Sequence, residues 1–210
     1  MKKSTSAKNL TSKYTKYVLG AIIICLTGFS GIPVTGKIYK AVSSGDADIK
    51  VLGTSNLHNW TMEAKDIACS ANFDFLPGNN SEPQSLTSLS LSVLVRNLKS
   101  GESSMDSKAY SALKADKFSS IVFVLTSATI VPSSKNQFQV NASGNLTIAG
   151  VTKPVSMEVN GLVNPDGTIT CTGSEKVKMT DYQVKPPVFM LGALKTGDGL
   201  TINFTVVFKK

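Results

Sequence analysis

"LSLSVLV", Leu89 to Val95, is the stretch whose reading decides the fold. Successive side chains of an extended chain point to opposite faces. Leu89, Leu91, Val93 and Val95 therefore share one face, while Ser90 and Ser92 fall on the other. That alternation marks a half-buried strand of an antiparallel sheet. Working outward, "IVFVL" repeats it with Ile121, Phe123 and Leu125, and "GNLTIAG" with Leu146 and Ile148. "PVSMEVNG" gives Val155, Met157 and Val159, and "TINFTVVF" gives Ile202, Phe204, Val206 and Phe208.

The segments between these strands suit hairpins. "NPDG", Asn164 to Gly167, is a turn signal before Ile169. "LPGNNSEP", Leu76 to Pro83, reads as a longer polar loop, "VPSSKNQ" separates two strands, and "TGDG", Thr196 to Gly199, precedes the last strand. "SSMDSKAYSALKADKF" breaks the alternation: Ala109, Ala112 and Leu113 fall at helical spacing, with Ser103 or Ser104 as N-cap. At least seven or eight strands and one short helix imply an all-β barrel or sandwich, and alternation alone does not separate the two. Ser, Thr, Asn and Gly on the second face suit a barrel with a solvated outside and an apolar inside. "MTDYQVKPPVFMLGALKTGDG" is the least regular part, because Pro186 and Pro187 do not fit a central strand. A loop across one end of the barrel is expected there, with Phe189, Met190 and Leu191 as lid or plug.

The net charge of +8 does not indicate nucleic-acid binding. Lys2, Lys3, Lys8, Lys13 and Lys16 precede any acidic residue and stand before the apolar run "YVLGAIIICLTGF", Tyr17 to Phe29. Setting those five aside leaves 17 basic against 14 acidic side chains, with Arg96 the sole arginine and no basic stripe. Phosphate neutralisation requires clustered Lys and Arg. A basic start, a short apolar run and then small residues match a secretory signal peptide over residues 1–36, with the cut between Gly31 and Gly36. An uncleaved N-terminal anchor is the alternative, although the run is shorter than the roughly 20 residues a bilayer span needs. Ile22, Ile23 and Ile24 before Cys25 do not suit lipidation. Export places residues 37–210 in the periplasm or outside the cell as a single domain. There Cys69 and Cys171 pair as one disulfide or remain two buried thiols.

"GTSNLHNW", Gly53 to Trp60, holds the only histidine and the only tryptophan. His58 and Trp60 share a face if the segment is a strand. A lone histidine lacks the partners that catalysis or a two-His metal site requires. Asp46 and Asp48 form only a weak D-x-D, and no nucleophile elbow, zinc-helix or P-loop motif is present. These residues indicate neither an enzyme nor a cofactor.

In chain order, "GTSNLHNW", "SLSLSVLVRNLKSGESSMD", "YSALKADKFSSIVF", "GNLTIAGVTKPVSMEV" and "MTDYQVKPP" resemble the YceI-like proteins from about Asp48 to Phe208. The most specific piece is "GNLTIAGVTKPV", a strand, a tight turn at Gly150, and Thr152-Lys153-Pro154 leading into the next strand. The resemblance implies an extended, antiparallel, eight-stranded lipocalin-like β-barrel with one short helix. It also implies a binding protein rather than an enzyme, some members holding a long isoprenoid or other lipid-like chain inside the barrel.

A ligand channel and a packed core use the same residue types, so the residues leave both open. Taken with the resemblance, the inward candidates are Trp60, Leu91, Val93, Phe123, Leu125, Leu146, Ile148, Met157, Phe189, Met190, Phe204 and Val206. His58 is the candidate for a polar head group at the barrel mouth. The leading expectation is an exported carrier of an amphiphilic, isoprenoid-like lipid, without nucleic acid and without a membrane span after signal cleavage. The alternatives are a filled barrel acting through its outer surface, and an enzyme using His58.

Overall fold

The protein is described by a computed structural model covering residues 35–41, 45–64, 66–189, 191 and 193–210. The expected signal segment up to residue 34 lies outside the described residues, as do Cys25 and Met190. The chain runs β1 (Thr35–Ala41), β2 (Ala47–Ser55), β3 (Asn59–Ala64), β4 (Ile67–Phe75), β5 (Pro83–Leu94), β6 (Leu98–Lys99) and helix α1 (Ser103–Ala112). It continues through β7 (Ser120–Pro132), β8 (Gln137–Ile148), β9 (Val151–Val163), β10 (Ile169–Lys178), β11 (Val188–Phe189) and β12 (Leu194–Phe208).

The sheet order is β1-β4-β5-β7-β8-β9-β10-β12-β2-β3-β6, and every pairing is antiparallel. Two features curl this sheet into a barrel. β1 and β2 run in the same direction along β4 and β3, and β5 and β6 do so along their opposite edges. A bridge between Lys40 and Lys209, with N–H···O distances of 2.7 and 2.8 Å, then joins β1 to the end of β12. Eleven of the twelve segments thus form eight rungs, and the twelfth, β11, pairs with β12 off this path. Three rungs are interrupted: between β1 and β2, between β3 and β4 beside Asp66 (φ 56°), and between β5 and β6 by the 3₁₀ turn Val95–Asn97. This accounts for twelve strands where alternation and resemblance led to eight.

Hairpin chemistry sets the register. Ile148 pairs with Val151, so Ala149 and Gly150 form a two-residue turn, with φ of 49° and 80°. Positive φ at both central residues gives the twist that fits flanking strands. The Asn164–Gly167 turn closes through Gly167 N–H to Asn164 O at 2.9 Å. On the outer face, directly opposed hydroxyls bond across strands, Ser143 to Ser156 at 2.8 Å and Thr147 to Thr152 at 2.9 Å.

Three expectations need correction. "TGDG" lies within β12, as an irregularity between Thr196 and Leu200, rather than before it. The small glycines allow this bulge, and Asp198 there accepts hydrogen bonds from the Thr180 N–H (2.9 Å) and hydroxyl (2.7 Å). Helix α1 starts at Ser103 with Glu102 in the cap position and no side-chain cap, because Asp106 instead binds the preceding Ser100 N–H and hydroxyl at 2.8 and 2.7 Å. Finally, Leu191 is fully exposed and plugs nothing. The buried residues of that segment are Met179, Tyr182 and Val184.

One end of the barrel is filled by rings. Tyr39, Phe73, Phe75, Phe138 and Phe208 are all buried there. Phe73 lies edge-on to Tyr39 at 5.7 Å, to Phe208 at 6.0 Å and to Phe138 at 6.2 Å between centroids. Elsewhere rings lie flat on glycines of the wall. A Cβ at Gly53 would stand 2.0 Å from Trp60, one at Gly144 2.4 Å from Phe123, and one at Gly173 2.4 Å from Phe204.

Candidate functional site: the barrel lumen

Between the ring-filled floor and the opposite end lies a cavity of about 430 Å³. That is within the ~300–1,000 Å³ range of small-molecule sites. Its floor is Phe73 and Phe208, and its walls include Ile49, Val51, Leu89, Val140 and Val159. Val206 and Thr196 both line it. Ten residues of β12 at ~3.3 Å each, tilted ~40°, make the lumen roughly 25 Å long. A narrow, deep, apolar space of that length fits an extended chain better than a compact ring system.

Trp60, Leu91, Val93, Phe123, Leu125, Leu146, Ile148, Met157, Phe189, Phe204 and Val206 all face this lumen. Alternation brings them together because each strand offers every second residue to the interior. Trp60 is held against the wall by its indole N–H, which donates to Thr54 O at 3.0 Å. The mouth is rimmed by His58, Glu102, Ser104 and Lys108, with Met105 and Ala109 of α1 just inside. Tyr110 fixes α1 by donating its hydroxyl to Leu98 O at 2.8 Å.

His58 sits in the turn before β3 rather than in the strand. Ser55 N–H donates to His58 O at 3.0 Å, and His58 Nδ1 lies 2.8 Å from Asn59 O, a carbonyl that accepts its hydrogen bond. No carboxylate or nucleophile is bonded to the ring among the described residues. The D-x-D is not a paired site: Asp46, just before β2, is buried and paired with Lys209, whereas Asp48 within β2 pairs with Lys50 at the surface. Among the described residues no three His, Cys, Asp or Glu side chains form a metal cluster.

Cys69 and Cys171 are buried free thiols that both face the lumen. Burial pushes each up to about 12, and the nearby Cys69 adds to the shift at Cys171. One lumen residue escapes pattern reading altogether. Glu175 lies on the inward face of β10 between Gly173 and Val177, and burial raises its carboxyl above the ordinary range.

The inside is apolar, and the outside carries mainly Ser, Thr, Asn and Lys, with Leu94, Val124, Val131 and Leu162 exposed among them. This is the inverse of a membrane-spanning barrel, whose outer band is apolar. No helix among the described residues is long and apolar enough to cross a membrane.

A family model for the YceI-like domain matches residues 39–208, from β1 to the end of β12. The chain belongs to the YceI-like family. No curated protein matches the chain significantly. Among solved structures, this YceI-like chain is similar to Burkholderia cenocepacia BcnA, with TM-score 0.62 and 16% identity over 80% of this chain and 99% of that one. It is equally similar in TM-score, 0.62, to a polyisoprenoid-binding domain from Saccharophagus degradans implicated in plant cell wall breakdown, at 10% identity over 81% and 97%. The Campylobacter jejuni YceI protein follows at TM-score 0.53 and 20% identity over 71% and 84%. At such identities these likenesses establish the shared barrel and nothing finer.

Proposed function

We propose that this YceI-like protein is an exported carrier that holds one amphiphilic, isoprenoid-like lipid in its lumen and acts without covalent chemistry. The carrying observation is the apolar lumen of about 430 Å³, floored by Phe73 and Phe208 and with few polar side chains in its lining. Such a space removes a hydrocarbon chain from water, at about 25 cal/mol per Å² of apolar surface before ordering costs. The polyisoprenoid-binding description of the Saccharophagus degradans domain, which has the same fold, supports the choice of lipid. The Lys-rich start and apolar run support export. The residues proposed to contact the lipid are the eleven described lumen positions above and His58 at the rim.

Native mass spectrometry of the protein purified from its own cells, followed by organic extraction, tests this. A discrete adduct that leaves on denaturation and extracts as a lipid is expected. A bare polypeptide mass for the folded protein overturns it and favours a surface-acting barrel.

A further inference from the structure

The barrel wall has a split. β9 and β10 pair only from Val159 to Val163 against Ile169 to Gly173. Beyond Gly173, β10 pairs only with β12, while β9 up to Glu158 pairs only with β8. A polar groove lies over the split, lined by Ser156, Glu158, Asn160, Thr172 and Ser174. Met157 and Glu175 line both this outer groove and the lumen, so the two spaces share this piece of wall.

Glu175 is a carboxylate on an otherwise apolar inner face, and no hydrogen bond or ion pair reaches it among the described residues. Inside the lumen its neighbour is Tyr182, from the 3₁₀ turn Met179–Tyr182 that follows β10. Tyr182 is buried, and its phenol is raised first by burial, then by Asp181, then by Glu175 itself. The other charges around the split do not neutralise Glu175. Glu158 is a second carboxylate, held by Gln139 on the outer groove; Lys178 also lines the lumen but acts on Asp198, and burial alone raises the Glu175 carboxyl. The split therefore offers one strong acceptor and one hydroxyl, at the side of the lumen rather than at the His58 mouth.

We infer that Glu175 and Tyr182 form the head-group site of the lumen, and that it accepts a lipid whose head donates a hydrogen bond, such as an alcohol, amide or amine, and rejects anionic heads. The head takes the Glu175 carboxylate as acceptor, its own oxygen takes the Tyr182 hydroxyl, and the groove of Ser156, Asn160 and Thr172 keeps it hydrated. The hydrocarbon chain then runs down the lumen toward Phe73. A phosphate or carboxylate head would be placed against the Glu175 carboxylate, and that like-charge contact is disfavoured.

This rests on the carrier reading, and the test separates the two. Geranylgeraniol and its monophosphate, which share one hydrocarbon chain, are titrated into delipidated protein. The wild type is expected to bind the alcohol at least about tenfold more tightly. Glu175→Gln, which keeps the shape and removes the charge, is expected to close that gap to about twofold by gaining the phosphate, with an unchanged urea midpoint confirming the fold. Tyr182→Phe weakens the alcohol alone. Equal binding of both probes by the wild type, or a gap that Glu175→Gln leaves intact, overturns the head-group site while leaving the carrier standing. Binding of neither probe overturns the carrier reading and this site with it.

Discussion

Replacing Phe73 by Ala tests the floor of the lumen. The ring is 1% exposed and meets Tyr39, Phe208 and Phe138 at 5.7, 6.0 and 6.2 Å. A buried phenyl ring removes ~150–250 Å² from water, an upper bound of roughly 4–6 kcal/mol at 25 cal/mol per Å². Measured Phe-to-Ala losses of about 3–5 kcal/mol agree with that scale. Lipid-free Phe73→Ala should therefore lose about 3–5 kcal/mol of unfolding free energy, read by circular dichroism in urea. Phe75 is equally buried but does not face the lumen, so Phe75→Ala serves as the control. Both variants should lose similar stability without lipid. Only the hole left by Phe73 opens into the lumen, so only that variant should recover part of the loss when a longer lipid is bound. A loss below about 1 kcal/mol for Phe73→Ala, or equal recovery in both variants, would refute the assignment of this ring as floor.

Gly173→Ala places a methyl 2.4 Å from Phe204 Cζ. It should cost about 1–3 kcal/mol and reduce lipid loading, as read by extraction, whereas unchanged stability and loading would show that the ring has room to yield. Cys69 and Cys171 carry thiols raised from 9.0 to about 12. The folded state holds these protons more tightly, so their stabilisation is complete below pH 9 and is lost as pH rises from 9 to 12, by up to roughly 1.4 kcal/mol per pH unit for each thiol. A Cys69→Ala, Cys171→Ala double variant should decline less steeply in that window. Alkylation should label neither thiol in the native state and both after unfolding, and labelling of neither after unfolding would instead indicate a disulfide.

Alternation made β5, β7, β8, β9 and the second half of β12 readable, because their inward residues are aliphatic or aromatic and their outward ones small and polar. The floor was legible too, had Phe73 and Phe75 in "SANFDFL" been matched with Tyr39 and Phe208 as one layer. In β1 the apolar Ile38 points outward beside the inward Tyr39, so alternation does not single Tyr39 out. Glu175 was hidden for another reason. A charged residue is read as outward, and only the register of β10 against β12, where Glu175 faces Ile202, reveals that it points inward. The β9–β10 split is a feature of pairing rather than of residue type, so local sequence carries no signal for it. The bulge in "TGDG" was read as a turn because glycine and aspartate mark both.

The rings resting on glycines have a consequence for how the protein's selectivity can change over generations. The bore of the barrel is set partly by residues that no guest would touch. Gly53, Gly144 and Gly173 lie behind Trp60, Phe123 and Phe204, and each lets its ring stay flush with the wall. A single added methyl at any of them swings an aromatic plate into the passage. Narrowing the tube to suit a thinner or shorter guest is thus one codon away at several places, and so is closing it into a solid rod.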